Sequence, residues 1–326
     1  MANAGIAVVG GGTGSHKVLS GLKRFPVDLT AIVAMSDSGG SSGRLRAELQ
    51  QLPYGDVRQC LMALADDDEL DGVIGSLFTH RFMQEGTLEG HNFGNLVLGA
   101  LTQITGEPEL AIEAAAKLLK IRGRVLPVTL TRTNLHATLT DGRVLESEST
   151  IDTYGGSPGV GVDHVFLDPP AHPHPPVNDA LENADLIVLS PGDLYTSLIP
   201  NLLVPGVSDA ILRSSAMVVL VCNLMTKPGE TDAFTASTFV REVDRYLGRP
   251  RRINAVLVND QTMEGPLIER YADEGATPIQ LDVDVCSLLV DVVVKKPLLG
   301  EGPFLHHDPE KLGAALMAIQ STMADA

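Results

Sequence analysis

The feature that most constrains the fold of this chain is a series of short, nearly continuous apolar runs separated by segments of helical periodicity. Such runs are typical of strands that are covered on both faces, as in a parallel sheet between helices. The predicted strands are Ile6–Val9, Leu29–Met35, Val125–Thr131, Leu135–Leu139, Val144–Glu148, Asp185–Leu189, Met217–Cys222, Ile253–Val258 and Val290–Val294. The predicted helices are His16–Lys23, Leu96–Leu101, Glu109–Ile121, Ala236–Leu247, Pro266–Glu274 and Pro309–Gln320. This alternation predicts a doubly wound, Rossmann-like α/β fold with a mostly parallel sheet and added helices.

One part of the chain departs from this alternation. The pair Asp141-Gly142 lies between two apolar runs and predicts a β-hairpin. Further on, Pro169–Pro176 has five prolines in eight residues, with His172 and His174 between them. This composition predicts a stiff polyproline loop that crosses the surface, and a small metal-binding tract is the alternative.

Length and composition exclude several classes of protein. We expect a single domain over residues 1–326, with the hairpin and the proline-rich stretch as an insertion around 125–176. The formal net charge of −17 and the absence of Trp argue against binding to nucleic acid. No apolar run reaches the roughly 18 residues of a membrane span, and the N-terminus lacks the basic start of a secretory signal. Three scattered cysteines, Cys60, Cys222 and Cys286, fit a reducing cytoplasm without disulfides.

Two glycine-rich loops follow predicted strands. Gly10–Ser15 comes after the first strand and before a helix, where free backbone N–H groups and the helix dipole favour an anion. It meets neither the dinucleotide fingerprint nor the P-loop pattern, and a tight turn without ligand is the alternative. Asp37–Arg46 follows the second strand and adds serines and arginines, of which Arg44 can bind a phosphate. Asp37 can hold a ribose hydroxyl or a divalent metal, whereas a flexible surface loop is the alternative.

Four more polar clusters lie at loops or strand ends. They are Gly55–Arg58, His91–Asn95, Ser190–Ser197 and Asn223–Asp232. Asn92 and Asn95 can equally be helix caps, and His91 can be an ordinary loop histidine. Because ligands of open α/β sheets bind outside the carboxyl ends of the strands, the convergence of these exits predicts a pocket for an anionic, nucleotide-like ligand.

Long motifs carry a resemblance over nearly the whole chain. They are GGGTG at 10–14, DSGGSSGRLR at 37–46, GDVRQCL at 55–61, HNFGNLVLGAL at 91–101, RGRVLPVTL at 122–130, LYTSLIPNLLVPG at 194–206, CNLMTKPGETD at 222–232 and HDPEKL at 307–312. Together they resemble the YvcK proteins, the bacterial gluconeogenesis-factor branch of the CofD-like superfamily.

The resemblance implies a function that the spacing of residues does not show. The YvcK branch binds UDP-sugars, notably UDP-N-acetylglucosamine, and supports envelope synthesis and cell shape, with no firmly attached reaction and with a dimer or larger assembly. The CofD branch instead transfers a phospholactyl-type group from a guanosine diphosphate carrier to a deazaflavin precursor, with magnesium. Acids that match Asp37 and Asp56 look like metal ligands in that branch.

The chain departs from the family pattern at three places. Ser38 replaces the second of two adjacent acids, which removes a carboxylate from the predicted metal site. Ser190 and Asp193 replace a glycine and a serine in the pattern GPGSLYTS, and an acid near a phosphate pocket requires a neutralising partner or must point away. His306 stands where the family has arginine, so a contact with a diphosphate there would require the protonated ring.

We therefore expect a UDP-sugar-binding regulatory protein, with a magnesium-dependent transferase as the alternative and an interaction protein with a vestigial pocket as a third. Tyr271 is expected to stack on uracil, although it can also be an ordinary helix tyrosine. The predicted ligand-binding residues are Gly10, Gly11, Gly12, Thr13, Gly14, Asp37, Gly39, Gly40, Ser41, Ser42, Arg44, Arg58, His91, Asn92, Asn95, Gly192, Tyr195, Ser197, Asn201, Asn223, Tyr271 and His306. Asp37 and Asp56 are the predicted ligands of a magnesium ion.

Overall fold

The computed structural model describes residues 3–324, and the side chains of residues 40–42, 47, 49, 323 and 324 lie outside what it describes. The strands are β1 (Ala4–Gly10), β2 (Val27–Val33), β3 (Arg124–Pro127), β4 (Asn134–Leu139), β5 (Val144–Leu145), β6 (Val162–Asp168), β7 (Leu186–Leu189), β8 (Met217–Val221), β9 (Ala255–Asn259) and β10 (Val292–Lys296).

Helices surround and connect these strands. They are α1 (Gly12–Leu22), α2 (Gly40–Leu49), α3 (Gly55–Leu64), α4 (Asp67–Leu70), α5 (Val73–Thr79), α6 (Phe93–Thr105), α7 (Pro108–Leu118), α8 (Glu148–Asp152), α9 (Pro175–Glu182), α10 (Ile199–Leu202), α11 (Val207–Arg213), α12 (Ala236–Leu247), α13 (Pro266–Asp273), α14 (Val283–Leu289) and α15 (Pro309–Ala324). A π-helical turn over Leu194–Leu198 precedes α10. Among residues 3–324, no helix is both long and apolar enough to cross a bilayer.

The main sheet has the predicted Rossmann-like architecture. In the described chain its seven strands run in the order β10-β9-β8-β7-β1-β2-β3, and every neighbouring pair is parallel. Val8 of β1 pairs with Ala31 on one side and with Val188 on the other. The central strand β7 is buried along its whole length, as its continuous apolar run predicts. The strand order reverses between β1 and β7, which places a topological switch point at their carboxyl ends.

The predicted hairpin belongs to a larger element. β4 pairs with β5 across the Asp141-Gly142 turn, and on its other edge it pairs antiparallel with β6, so the small sheet has the order β5-β4-β6. The predicted strand Val144–Glu148 is too long, because β5 ends at Leu145. Ser147 then caps α8 by accepting a hydrogen bond from the Thr150 N–H at 3.1 Å, so Glu148 opens a helix.

The proline-rich stretch is only partly a loop, which corrects the prediction for Pro169–Pro176. Pro175 begins α9, where its fixed backbone angle suits the first helical position and its missing N–H leaves nothing unpaired. His174 is buried, and its Nε2 atom lies 3.6 Å from a Glu109 carboxylate oxygen. Neither His172 nor His174 belongs to a cluster that would hold a metal ion in the described part of the chain.

A pair of glycines brings the first and last helices into backbone contact. A Cβ atom on Gly21 of α1 would lie 2.0 Å from the carbonyl oxygen of Pro309, and one on Gly313 of α15 would lie 2.6 Å from the Gly21 carbonyl carbon. No side chain fits between the two helices at this crossing. The contact between α1 and α15 therefore fixes the position of α1, which is the helix that begins at the switch point.

We expect Gly21→Ala to lower the free energy of unfolding by about 1–3 kcal/mol, because the methyl group must separate two packed backbones. Gly161→Ala is the matched control, since a Cβ at Gly161 meets no atom within 4 Å. Urea unfolding of the two variants beside the wild type measures the difference. Equal stability of Gly21→Ala and wild type would contradict this account of the crossing.

Candidate functional site

The loops that leave β1 and β7 touch each other at the switch point. A Cβ on Gly10 would lie 2.0 Å from the Ser190 hydroxyl oxygen, and one on Gly14 would lie 1.7 Å from the Pro191 carbonyl oxygen. The hydroxyls of Ser15 and Ser190 are 2.7 Å apart and hydrogen-bonded. Much of the glycine content of the first loop is therefore required by contact between two strand exits, a reason that is independent of any ligand.

A cleft of about 210 Å³, which we call the switch-point cleft, opens where these two loops meet the loop after β8 and the segment before α15. The predicted site residues that meet there are Thr13, Gly14, Gly192, Asn223, Tyr271 and His306. Lys17, Pro191, Asp193, Leu224, Met225, Leu305 and His307 complete the lining. The structure thus gathers residues from five separate segments of the chain around the N-terminus of α1.

Lys17 is a lining residue that the sequence did not predict. It lies one turn after Thr13 on the same face of α1, and it is half-buried. Within residues 3–324, no carboxylate forms an ion pair with Lys17. An unpaired ammonium group beside a helix N-terminus is suited to neutralise an anion. The spacing of Lys17 from Thr13 was the available signal.

The loop after β8 holds the loop after β7 in place. The side chain of Asn223 accepts a hydrogen bond from the Gly192 N–H at 3.2 Å and donates one to the Gly192 carbonyl oxygen at 2.7 Å. Asn223 therefore uses both ends of its amide on the protein, and it acts as a clamp at the wall of the cleft. Ser197 lies near the start of α1, because its hydroxyl oxygen would be 3.9 Å from a Cβ atom on Gly12.

The far wall of the cleft carries an aromatic ring and two histidines. Tyr271 is half-buried, and the guanidinium of Arg270 lies 5.8 Å from its ring centroid. Burial lowers the pKa of His307 to about 4, although a hydrogen bond with the Cys222 backbone acts in the opposite direction. The ring is therefore neutral at pH 7. His306 is more accessible, and its Nδ1 atom lies 2.9 Å from the Phe304 carbonyl oxygen.

Three carboxylates, Asp37, Asp56 and Glu148, form an acidic cluster behind the N-terminus of α1. The Asp56 carboxylate accepts a hydrogen bond from the Gly12 N–H, and its oxygen lies 2.3 Å from where a Cβ on Gly11 would be. Burial and the charges of Asp37 and Glu148 raise the pKa of Asp56 to about 7. Burial and Asp37 likewise raise the pKa of Glu148 to about 7. Glu148 comes from α8 of the small sheet, and the sequence did not predict its place here.

A second group of acids surrounds a lysine. Among the described residues, Asp152, Asp193 and Glu230 form a cluster whose ligand atoms all lie within 4.8 Å of one another. The Lys227 ammonium forms ion pairs with all three, at 2.7 Å to Asp193 and 3.0 Å to Glu230. Lys227 therefore already supplies the positive charge of this group, and it is the neutralising partner that an acid at position 193 requires.

Several predicted site residues make contacts elsewhere in the fold. Asn92 caps α6 through the Asn95 N–H at 3.2 Å, and the Asn95 amide oxygen accepts from Arg58 at 3.0 Å. His91 is buried, and Arg44 donates to the Glu89 carbonyl oxygen at 2.8 Å.

Two predicted residues of the loop after β7 lie in the interior. The Tyr195 hydroxyl donates to Glu242 at 3.0 Å, and Asn201 donates to three backbone carbonyls, including that of Gly10 at 3.3 Å. Both residues therefore support the loop after β7 from the protein interior. In the second glycine loop, the Gly39 N–H donates to Asp37 at 2.8 Å. Gly40, Ser41 and Ser42 begin α2, and their side chains lie outside the described part.

Comparison with known proteins gives one consistent family. The family model of the 2-phospho-L-lactate transferase CofD matches residues 6–298. A putative gluconeogenesis factor from Nostoc sp. is 44% identical over 314 residues, which cover 96% of this chain and 68% of the relative. The gluconeogenesis factor of Bacillus subtilis is 40% identical over 314 residues, 96% of each chain. A crystal structure of a UPF0052 family member from Bacillus halodurans has a TM-score of 0.90 at 39% identity, covering 97% of this chain and 100% of that one.

We expect the raised pKa of Asp56 to appear as a pH dependence of stability. The unfolded chain releases this proton near pH 4 and the folded chain near pH 7, so the wild type loses stability as pH rises through that interval. Asp56→Asn removes this loss, and its free energy of unfolding relative to wild type should improve by up to about 2.5 kcal/mol between pH 5 and pH 8. Exposed Asp71→Asn is the control, and a difference that does not change with pH would contradict the assignment.

Proposed function

The chain belongs to the gluconeogenesis-factor branch of the CofD family, and from that premise we propose that it is a regulatory protein that binds UDP-N-acetylglucosamine in the switch-point cleft. The observation that carries the proposal is the position of that cleft. It lies at the strand-order reversal of an all-parallel sheet, where open α/β folds bind nucleotides, and the unpaired Lys17 lines it beside a helix N-terminus.

The base and the phosphates take different walls of the cleft. The half-buried ring of Tyr271 offers a face on which uracil can stack. The diphosphate lies at the N-terminus of α1, where the backbone of Thr13 and Gly14 and the ammonium of Lys17 face it. His306 lines the same cleft and offers a ring nitrogen toward the ligand. This leaves the sugar end toward the acidic cluster of Asp37, Asp56 and Glu148.

The state of the thiols argues against catalysis by an activated cysteine. Burial raises the pKa of Cys60 far above its ordinary value and raises that of Cys222 to about 12. A third thiol, Cys286, is also buried, and burial raises its pKa to about 12 as well. None of the three is a thiolate at pH 7, so none is an activated nucleophile. The name gluconeogenesis factor, which the relatives carry, supports a link to central carbon metabolism. We propose that the bound nucleotide sugar reports on that metabolism and controls envelope synthesis.

The acidic cluster favours a second candidate function, a magnesium-dependent transferase of a phospholactyl-type group. Carboxylate oxygens are the ligands that magnesium prefers, and an ion near Asp37, Asp56 and Glu148 would relieve the repulsion that raises two of their pKa values. In the described chain these three acids do not form a group whose ligand atoms all lie within 4.8 Å of one another, so they would have to move closer together to hold the ion. When bound, magnesium would neutralise charge on a diphosphate carrier during transfer. The side chains would only hold the ion and position the carrier beside the acceptor.

Isothermal titration separates the two functions. We expect saturable binding of UDP-N-acetylglucosamine that persists in EDTA, and no comparable binding of GDP. Magnesium-dependent binding of GDP without a response to the UDP-sugar would overturn the proposal and favour the transferase. A transfer assay with a deazaflavin acceptor would then be the next experiment.

Lys17→Gln tests the position of the diphosphate. Loss of one charged contact should weaken binding of UDP-N-acetylglucosamine about tenfold, or roughly 1.5 kcal/mol. Affinity should also depend less on salt than in the wild type, because one ion contact is missing. Exposed Lys295→Gln, on β10, is the matched control and should bind as the wild type does. Equal affinity of the two variants would remove Lys17 from the site.

A further inference from the structure

Asp193 puts a negative charge at the edge of the cleft that we assign to a diphosphate. It lines the switch-point cleft, and its side chain is 41% exposed. Its backbone carbonyl accepts hydrogen bonds from Ser197 at 2.8 Å and Leu198 at 3.3 Å, which begins the π-helical turn of the loop after β7. A carboxylate in this place would repel an anionic ligand unless another charge offsets it.

The Lys227 ammonium provides that offset from the neighbouring loop. It lies 2.7 Å from the Asp193 carboxylate and also contacts Asp152 and Glu230. Lys227 is 22% exposed and Glu230 only 1%, so little water screens that pair, whereas the side chains of Asp193 and Asp152 are 41% and 44% exposed and their pairs with Lys227 are screened more strongly. Although burial favours the neutral amine, the carboxylates of Glu230 and Asp193 raise the pKa of Lys227. The ammonium is therefore charged over the whole physiological range of pH.

The same contacts tie three parts of the molecule together. Asp193 belongs to the loop after β7, Lys227 and Glu230 belong to the loop after β8, and Asp152 ends α8 of the small sheet. The loop after β7 is thus held at two neighbouring residues, at Gly192 by the Asn223 clamp and at Asp193 by Lys227. A loop fixed at two successive positions has little freedom to change the direction of the Asp193 side chain.

We propose that Lys227 is a positioning residue of the nucleotide-sugar site, which turns the Asp193 carboxylate away from the ligand phosphates and fixes the loop after β7 against α1. This inference rests on the proposed function, because it concerns an anionic ligand in the same cleft. On this account, the Asp193 carboxylate is compatible with an anionic ligand only when Lys227 is present.

A double-mutant cycle titrated with UDP-N-acetylglucosamine tests the proposal. We expect Lys227→Met to bind at least about tenfold more weakly than wild type, since it leaves the Asp193 carboxylate uncompensated near the phosphates. Asp193→Ser should bind as well as wild type or more tightly. The double variant D193S/K227M should recover to within about threefold of wild type, because Asp193 lines the cleft whereas Asp152 and Glu230, which remain without their lysine, do not.

The rescue distinguishes positioning from mere structural support. If Lys227 only stabilises the fold, the double variant binds as poorly as K227M, and that result would overturn the inference. Lys120→Met is the matched control, because Lys120 forms an ion pair with Glu69 at 2.6 Å on the protein surface. This variant should leave affinity unchanged, and thermal unfolding of each variant reports on the fold separately.

Two further outcomes have a definite meaning. If K227M does not fold, Asp193→Ser alone decides, since a weaker affinity in that variant would contradict a repelling carboxylate. If the wild type does not bind the UDP-sugar, the proposed function itself is wrong and this inference falls with it. Wild-type binding with an unchanged affinity in K227M removes only the role of Lys227.

Discussion

The backbone contact between the loops that leave β1 and β7 is the constraint on which the rest of the site depends. These strands are neighbours in the sheet, and the chain continues from them in opposite directions. Their exits approach so closely that neither Gly10 nor Gly14 leaves room for a Cβ atom. In a parallel sheet with this strand order the two loops must pack closely here, and their contact in turn fixes where α1 begins. The switch-point cleft opens at one end of this contact.

In an acidic chain, repulsion by nearby carboxylates opposes the binding of an anion in this cleft, so positive charges must offset it. The formal charge is −17, and two groups of carboxylates flank the N-terminus of α1. The described structure sets the dipole of α1 and the ammonium of Lys17 against them, while Lys227 offsets the second group from within. Local arrangement of a few cations therefore matters more than net charge, because nearby half-buried charges are weakly screened and distant surface charges are strongly screened.

The parts of the fold that follow simple periodicity could be predicted from the sequence. The strand around Leu186–Leu189 is apolar throughout, and α12 has the bounds that its spacing predicts. β6 was missed, since Asp163 and His164 interrupt its apolar pattern on a sheet with one accessible face. α2 was missed as well, because glycine and serine at its start are poor helix formers.

The site was predictable as a place more than as a set of contacts. Strand exits predicted a pocket at this edge of the sheet, and Tyr271 and Asn223 meet Gly14 there in the switch-point cleft. Spacing alone could not tell that Tyr195 and Asn201 point inward, since both follow the same strand as Gly192. Glu148 reaches the site only through tertiary packing, which a single sequence does not reveal, whereas Lys17 could have been found from its spacing to Thr13 on α1.

The short helix α8 lies between two charged regions and contributes a carboxylate to each. Glu148 and Asp152 stand one turn apart on the same face of α8. One end meets Asp37 and Asp56, and the other end meets Lys227. A single short helix from the small-sheet region therefore supplies one carboxylate to each of the two charged groups.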